Sequence, residues 1–429
     1  MGKKYLVRGK GIYDSDSRAM DGTGLYILDG RVAARGRFEE LAAQYMDAEV
    51  LDFSQEYLLP GLVNTHVHLE FTPCENTYEA YVNTDAEAHR RQARQAARQL
   101  LLSGVTAARD AGSSMELIGW MGAEACKAGM HPGVRPDSDS NPWPVPRLQL
   151  AGMPLTVTGG HLGFLGKAAD STEELLAAVQ NRKEASCTCI KIIASGGQMT
   201  PGSLPEQEAY DKEQIETVVR EAHRCGLPTA AHCLTVKSYE NAMDGGVDCI
   251  EHGACFVRNH RMGLLERRLE PERLERFRGD GRFLMIGFSN NYHKLDRFRD
   301  GTSEGNNRVV PEAEAFLLEQ EEKECGIFRY LADAGMRPTA GTDAGCGFTY
   351  FDETWLELEL LVKRCGLTNR EAIHAATVAG AQALGWGESL GALKSGYQAD
   401  FITMAQNPLE DISALRQVSH VFCRGRLVR

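Results

Sequence analysis

The feature that most restricts this chain is a strand–loop–helix alternation that repeats through its middle. An apolar strand pattern over 62–68 gives way to a helix pattern over 86–102, closed by Gly104, and then to Val105-Thr106-Ala107-Ala108. A helix over 115–127 ends at Gly129. Ser171 and Glu174 form a capping box ahead of a helix reaching Lys183, and 189–194 is a β-branched strand. Asp211 opens a helix that ends at Gly226, before Pro228-Thr229-Ala230-Ala231. A long helix over 312–334 stops at Gly335, and Thr368 with Glu371 make a second capping box. Strands that alternate with helices pair in parallel, and a (β/α)8 TIM barrel is the commonest closed solution at this size. The pattern predicts an α/β fold with that barrel over 60–389; a doubly wound open sheet is its competitor.

Both ends of the chain read differently. Tyr5-Leu6-Val7-Arg8, Gly24-Leu25-Tyr26-Ile27-Leu28 and Arg31-Val32-Ala33-Ala34 are strand-like, with Asp29-Gly30 as a hairpin turn. The style returns in 398–404 and 418–423, where Arg424-Gly425 turns before Arg426-Leu427-Val428. These segments predict one small β-sandwich domain shared by residues 1–59 and 390–429.

Composition narrows the function classes. The 429 residues are 43% hydrophobic and 25% charged, as in ordinary globular proteins. A net charge of −12, with Lys and Arg scattered, argues against nucleic acid as a partner. No apolar run approaches the roughly 20 residues that cross a bilayer, so no membrane association is expected. Met1-Gly2-Lys3-Lys4 leads into no apolar h-region, and the 12 cysteines are dispersed. A cytoplasmic protein with free thiols, forming a homo-oligomer, is the expectation.

Metal-ligand residue types recur at strand ends. His66 and His68 close the first apolar strand, two apart and therefore on one face. His232 ends Thr229-Ala230-Ala231-His232, His252 ends Cys249-Ile250-Glu251-His252, and Asp343 ends Ala340-Gly341-Thr342-Asp343. Lys191 stands inside the apolar strand Cys189-Ile190-Lys191-Ile192-Ile193. Singly, a strand-end histidine is more often a satisfied polar residue, an Asp near Gly a turn residue, and a strand Lys a snorkelling one. A barrel brings all strand C-termini to one rim, where active sites lie. Four histidines, a lysine and an aspartate at that rim predict a metal site.

With these residues the chain resembles the amidohydrolase superfamily. Pro60-Gly61-Leu62-Val63-Asn64-Thr65-His66-Val67-His68 and Gly391-Ala392-Leu393-Lys394-Ser395-Gly396-Tyr397-Gln398-Ala399-Asp400-Phe401 bracket the similarity. Thr158-Gly159-Gly160-His161, Ile190-Lys191-Ile192-Ile193-Ala194-Ser195-Gly196-Gly197, Ile250-Glu251-His252-Gly253 and Ala340-Gly341-Thr342-Asp343-Ala344-Gly345 are similar to the imidazolonepropionase-related branch. That branch includes metal-dependent Xaa-Pro and Xaa-Arg/Lys dipeptidases. The resemblance implies a barrel with a sandwich domain and two divalent ions, zinc by donor chemistry. It also implies an N6-carboxylysine at Lys191 bridging them. His66, His68 and Asp343 would then hold the more buried ion, and His232 and His252 the other. His161 would face the substrate, and Tyr292 is a second candidate contact. Residues 296–307, with Arg297, Arg299 and Arg308 in or beside them, are polar and glycine-bearing, as a mobile flap would be. Cys346 is expected near the metal face with an inert thiol.

The function expected is hydrolysis of an amide in a small substrate, a dipeptide or N-acyl amino acid. Water shared by two cations is deprotonated near neutral pH, and Asp343 shuttles its proton to the leaving amine. A mononuclear deaminase or cyclic amide or amidine hydrolase is the first alternative. Carbamates, ureas, lactones and phosphoesters are further electrophiles for the same nucleophile. A barrel scaffold without chemistry is the reading from another class.

Overall fold

A computed structural model describes residues 3–13, 20–21, 23–127, 145–259, 264–299 and 311–429. Its short apolar segments become eight parallel strands among the described residues, each too short to bury a core alone. We label them β1 (Leu62–Val67), β2 (Val105–Asp110), β3 (Arg147–Leu150), β4 (Ile190–Ile193), β5 (Thr229–Cys233), β6 (Cys249–His252), β7 (Phe283–Met285) and β8 (Arg337–Pro338). Strands β1–β3 pair in one parallel sheet and β4–β8 in another. Two seams join them. Leu155 bridges to Ile192, with Leu155 N–H donating to Lys191 O at 2.8 Å. Val67 bridges to Ala344, flanked by Thr65 N–H to Ala340 O and His68 N–H to Ala344 O, both 2.8 Å. The two sheets thus close into a ring, whereas a doubly wound sheet would leave two open edges.

The third strand departs from the sequence expectation. The sequence of 153–158 is strand-like, but β3 lies at Arg147–Leu150 and the later segment contributes the single bridge at Leu155. Pro154 has no N–H to give to a ladder, and Gly152 turns the chain with φ +66° just before it.

Helices cover the ring by the usual periodicity. Lys212–Arg224 buries Ile215, Val218, Val219 and Ala222, one stripe at i, i+3, i+4 and i+7. Removing each large aliphatic from water contributes roughly 1.5–3 kcal/mol. The capping boxes at Ser171/Glu174 and Thr368/Glu371 form as expected, and Asp211 caps with Gln214. Among the described residues no helix is long and apolar enough to cross a membrane.

Strands from both ends of the chain share one eight-stranded sheet. The long strand Glu49–Pro60 is its spine: it pairs in parallel with Lys4–Ile12 and antiparallel with Phe401–Met404. The two hairpin turns adopt left-handed backbone at both central positions, with φ 51° and 75° at Asp29-Gly30 and 55° and 73° at Arg424-Gly425. That geometry matches the twist of the flanking strands. Phe401 and Phe422 stack at 4.9 Å over Val7, Leu25, Ile27 and Val32, a core separate from that of the ring.

Candidate metal centre and its pocket

The ligand-type side chains are set by the ends of the ring strands. A bulge in β1 between Asn64 and Val67 lets His66 and His68 both face the ring's open end, their Nε2 atoms 3.2 Å apart. Asp343, past the end of β8, is pinned by its N–H donating to His66 O at 3.0 Å. Its Oδ1 lies 3.3 Å from His66 Nε2 and 3.4 Å from His68 Nε2. His68 Nδ1 donates to Gly112 O at 2.9 Å, so its Nε2 carries no proton in the neutral ring. Asp110 secures that carbonyl's loop by accepting from Leu69 N–H at 2.9 Å and Gly112 N–H at 3.3 Å.

His232 and His252 stand beside this cluster, their rings 4.8 Å apart, and His252 is 5.2 Å from His66. His252 Nδ1 faces Ile286 O at 3.3 Å and His232 Nε2 faces Gly196 O at 3.1 Å. Each carbonyl takes a ring N–H and turns the other nitrogen free. Asp343 and His252 both hold left-handed backbone, φ 61° and 69°, which is uncommon away from glycine. The ring walls enforce these conformations, as at many sites where geometry matters more than local comfort.

Lys191 is buried in β4, one register level below His232, and its ammonium contacts Glu251 of β6. Burial pulls its pKa from the ordinary lysine value to about 7, with the charge of Asp343 opposing. Glu251 is fully buried and also lies 3.0 Å from His66 Nδ1 and 3.9 Å from Arg109 Nη1. Neither carboxylate oxygen is aligned for a hydrogen bond with these neighbours. Burial likewise keeps the imidazoles neutral: His66 falls to about 4, His161 and His252 to about 3.

The cluster opens into a cavity of about 300 Å³ lined by His161, Cys346, Lys191 and the five other ligand-type residues. His161 lies 4.8 Å from His232 ring to ring, and Gly197 makes room for it: a Cβ there would sit 2.4 Å from the imidazole. Leu162 N–H donates to Thr200 Oγ1 at 2.9 Å, and that hydroxyl meets His161 Nδ1 at 3.1 Å. If Thr200 O–H donates to Nδ1, Nε2–H is left as a donor. Burial pushes the Cys346 thiol well above its usual range, consistent with an inert group.

Six sequence-predicted residues thus converge: His66, His68, Lys191, His232, His252 and Asp343 all line one cavity. Tyr292 does not join them. It lies in the helix Phe288–Arg299, which turns Asn290, Asn291 and Lys294 to the cavity and packs Tyr292 against the main core. The flap expected over 296–307 falls largely outside the described residues, as does Arg308. Arg297 stacks over the Phe348 ring at 3.7 Å. Sequence reasoning missed Glu251, although a charge inside Cys249-Ile250-Glu251-His252 is the same signal that singled out Lys191.

Convergent ligand-type side chains in a pocket at the strand C-termini of a closed parallel ring define an enzyme of the barrel class. The chain belongs to the amidohydrolase family, whose sequence profile matches residues 57–428. It is 26% identical to the ochratoxinase of Aspergillus niger over 446 aligned positions, covering 96% of this chain and 84% of that protein. A Xaa-Pro dipeptidase crystal structure with methionine in its active site superposes with a TM-score of 0.80 at 24% identity, over 100% of both chains. The A. niger ochratoxinase structure gives 0.78 at 23% identity, over 100% of this chain and 96% of that one. These likenesses establish a shared fold.

Proposed function

We propose that this chain is a metal-dependent hydrolase that cleaves the amide bond of a dipeptide or N-acyl amino acid, using two divalent ions. The observation that carries the reading is a convergence of ligand-type atoms. His66 Nε2, His68 Nε2 and Asp343 Oδ1 lie 3.2–3.4 Å apart, and His68 has placed its proton on Nδ1. A divalent cation set among these three atoms would take a lone pair from each. The imidazole-rich donor set suits zinc. His232 and His252, with a carboxylated Lys191, would hold the second ion.

Lys191 can reach that form because its burial favours the neutral amine, which adds carbon dioxide to give a carbamate. Arg109 remains beside Glu251 as a positive charge once the lysine's ammonium is gone. Glu251, 3.0 Å from His66 Nδ1, occupies the place that carboxylates take behind metal-binding histidines.

When bound, the ions would polarise the scissile carbonyl and acidify the attacking water. Asp343 accepts the water's proton on its carboxylate and delivers it to the amide nitrogen, so that the amine leaves neutral. His161, neutral at physiological pH, can donate from Nε2 to the substrate when Nδ1 accepts from Thr200. The ochratoxinase and Xaa-Pro dipeptidase relatives support the choice of an amide.

A second reading has its own observation. His66, His68 and Asp343 are the three-residue ligand cluster found among the described residues, while Lys191 contacts Glu251. That arrangement suits a one-ion deaminase or cyclic-amide hydrolase. A panel of dipeptides and N-acyl amino acids, offered to protein of measured metal content, decides. Cleavage with about two ions per chain supports the first reading; no cleavage with one ion moves the assignment to the second.

A further inference from the structure

Lys294 lines the same cavity as the ligand cluster, with its side chain against the loop after Asp343: a Cβ on Gly347 would lie 3.6 Å from Lys294 Cε. Its side chain is exposed to that space, and among the described residues it makes no hydrogen bond or ion pair. The nearest carboxylates are already committed. Glu324 takes Arg267 Nη2 on Oε1 at 2.5 Å and Asn291 Nδ2 on Oε2 at 2.7 Å. Asp343 is turned to His66 and His68. Glu75, at the rim, is also engaged.

Arg267 adds an independent observation. Its side chain is 8% exposed, it lines the cavity, and its Nε is buried without a partner. Among the described residues the cavity wall therefore offers one ammonium without an ion-pair partner and one buried guanidinium N–H without an acceptor. Both deficits call for an anion with more than one oxygen.

We infer that Lys294, backed by Arg267, is the seat for a carboxylate on the substrate, so that this enzyme selects amides carrying a free carboxylate. The inference rests on the proposed amide hydrolysis and goes further: it sets N-acyl amino acids and dipeptides ahead of neutral amides, ureas and carbamates. Lysine is suited to this task because its point charge on a flexible stem can follow side chains of different size.

The test uses the full metal-loaded chain and two kinds of probe. N-methanesulfonyl amino acids, which have no cleavable amide, are titrated calorimetrically against their carboxamides. N-acetyl amino acids and their carboxamides give kcat and KM. The wild type is expected to favour each acid by about 10- to 100-fold, chiefly in Kd and KM. Lys294→Met brings that ratio close to one with metal content unchanged, and Lys294→Arg restores part of it. Equal preference for acid and carboxamide in the wild type overturns the inference. So does a preference that survives in Lys294→Met. If no amide is cleaved yet the sulfonyl acids bind with the predicted preference, the carboxylate seat stands and the amide-hydrolase reading falls.

Discussion

His66, His68 and Asp343 bring three donor atoms within 4.8 Å of one another, fixed by β1, by the β8 seam and by the Gly112 carbonyl. A few ångströms away, His232 and His252 face each other across 4.8 Å, and the third member of their group, Lys191, points into Glu251. The first half of the centre is assembled by folding alone. The second needs a covalent change at Lys191 before it has three ligands. The two halves should therefore differ in affinity, in dependence on carbon dioxide and in tolerance of substitution.

The largest effect is expected where binding and proton transfer meet. Asp343→Asn keeps a metal-ligating oxygen but loses the proton acceptor, so turnover should fall by about 10²–10⁴-fold or more while at least one ion is retained. Steady-state kinetics beside metal analysis checks this; unchanged kinetics would remove Asp343 from proton transfer. Next, Lys191→Ala should lower metal content from about two ions per chain to one, since it leaves His66, His68 and Asp343 intact. Purification without bicarbonate should do the same to the wild type, reversibly. Loss of both ions from Lys191→Ala would show that the halves are not separable.

Smaller is the change at Glu251→Gln, which leaves His66 without its charged neighbour. Affinity for the first ion should weaken by about 10- to 100-fold, read by chelator competition. If only the second ion weakens, Glu251 serves Lys191 rather than His66.

The smallest effect concerns the wall and not the metals. Glu357 accepts from Phe288 N–H and Ser289 N–H, both at 2.9 Å, and so holds the start of the helix carrying Asn290 and Lys294. Burial raises its pKa from 4.5 to about 7, those amide bonds opposing. The folded chain then keeps this proton at pH values where the unfolded chain has lost it. Its contribution to stability is full below about pH 4.5 and is lost as pH rises to 7. Thermal unfolding across that range should show this decline in the wild type and a flatter profile in Glu357→Gln, with metal content equal in both.

Much of the frame was legible because local chemistry and global fold agree there. Asp29-Gly30 and Arg424-Gly425 are turns that only a hairpin explains, and Ser171/Glu174 and Thr368/Glu371 mark helix starts wherever they occur. The strand-end residues were legible for the opposite reason: a lysine in an apolar strand and histidines at its end violate local preference and so stand out. What stayed hidden depends on packing direction. Tyr292 was placed near the substrate, but 288–299 is helical, and at 100° per residue position 292 points away from 290 and 294. Arg267 reaches the cavity from a hairpin, Phe256–Asn259 with Leu264–Arg267, that carries no strong turn pattern in its described residues. Glu324 lies on a long helix, and nothing in its spacing shows that it meets Arg267.

The most direct measurement is anomalous diffraction at the zinc edge from crystals of the zinc-loaded protein grown with bicarbonate. Two peaks are expected, one bonded by His66, His68 and Asp343 and one by His232 and His252, with density for a carboxylated Lys191 between them. A single peak beside an unmodified Lys191 still paired to Glu251, or no peak at these side chains, would contradict this expectation.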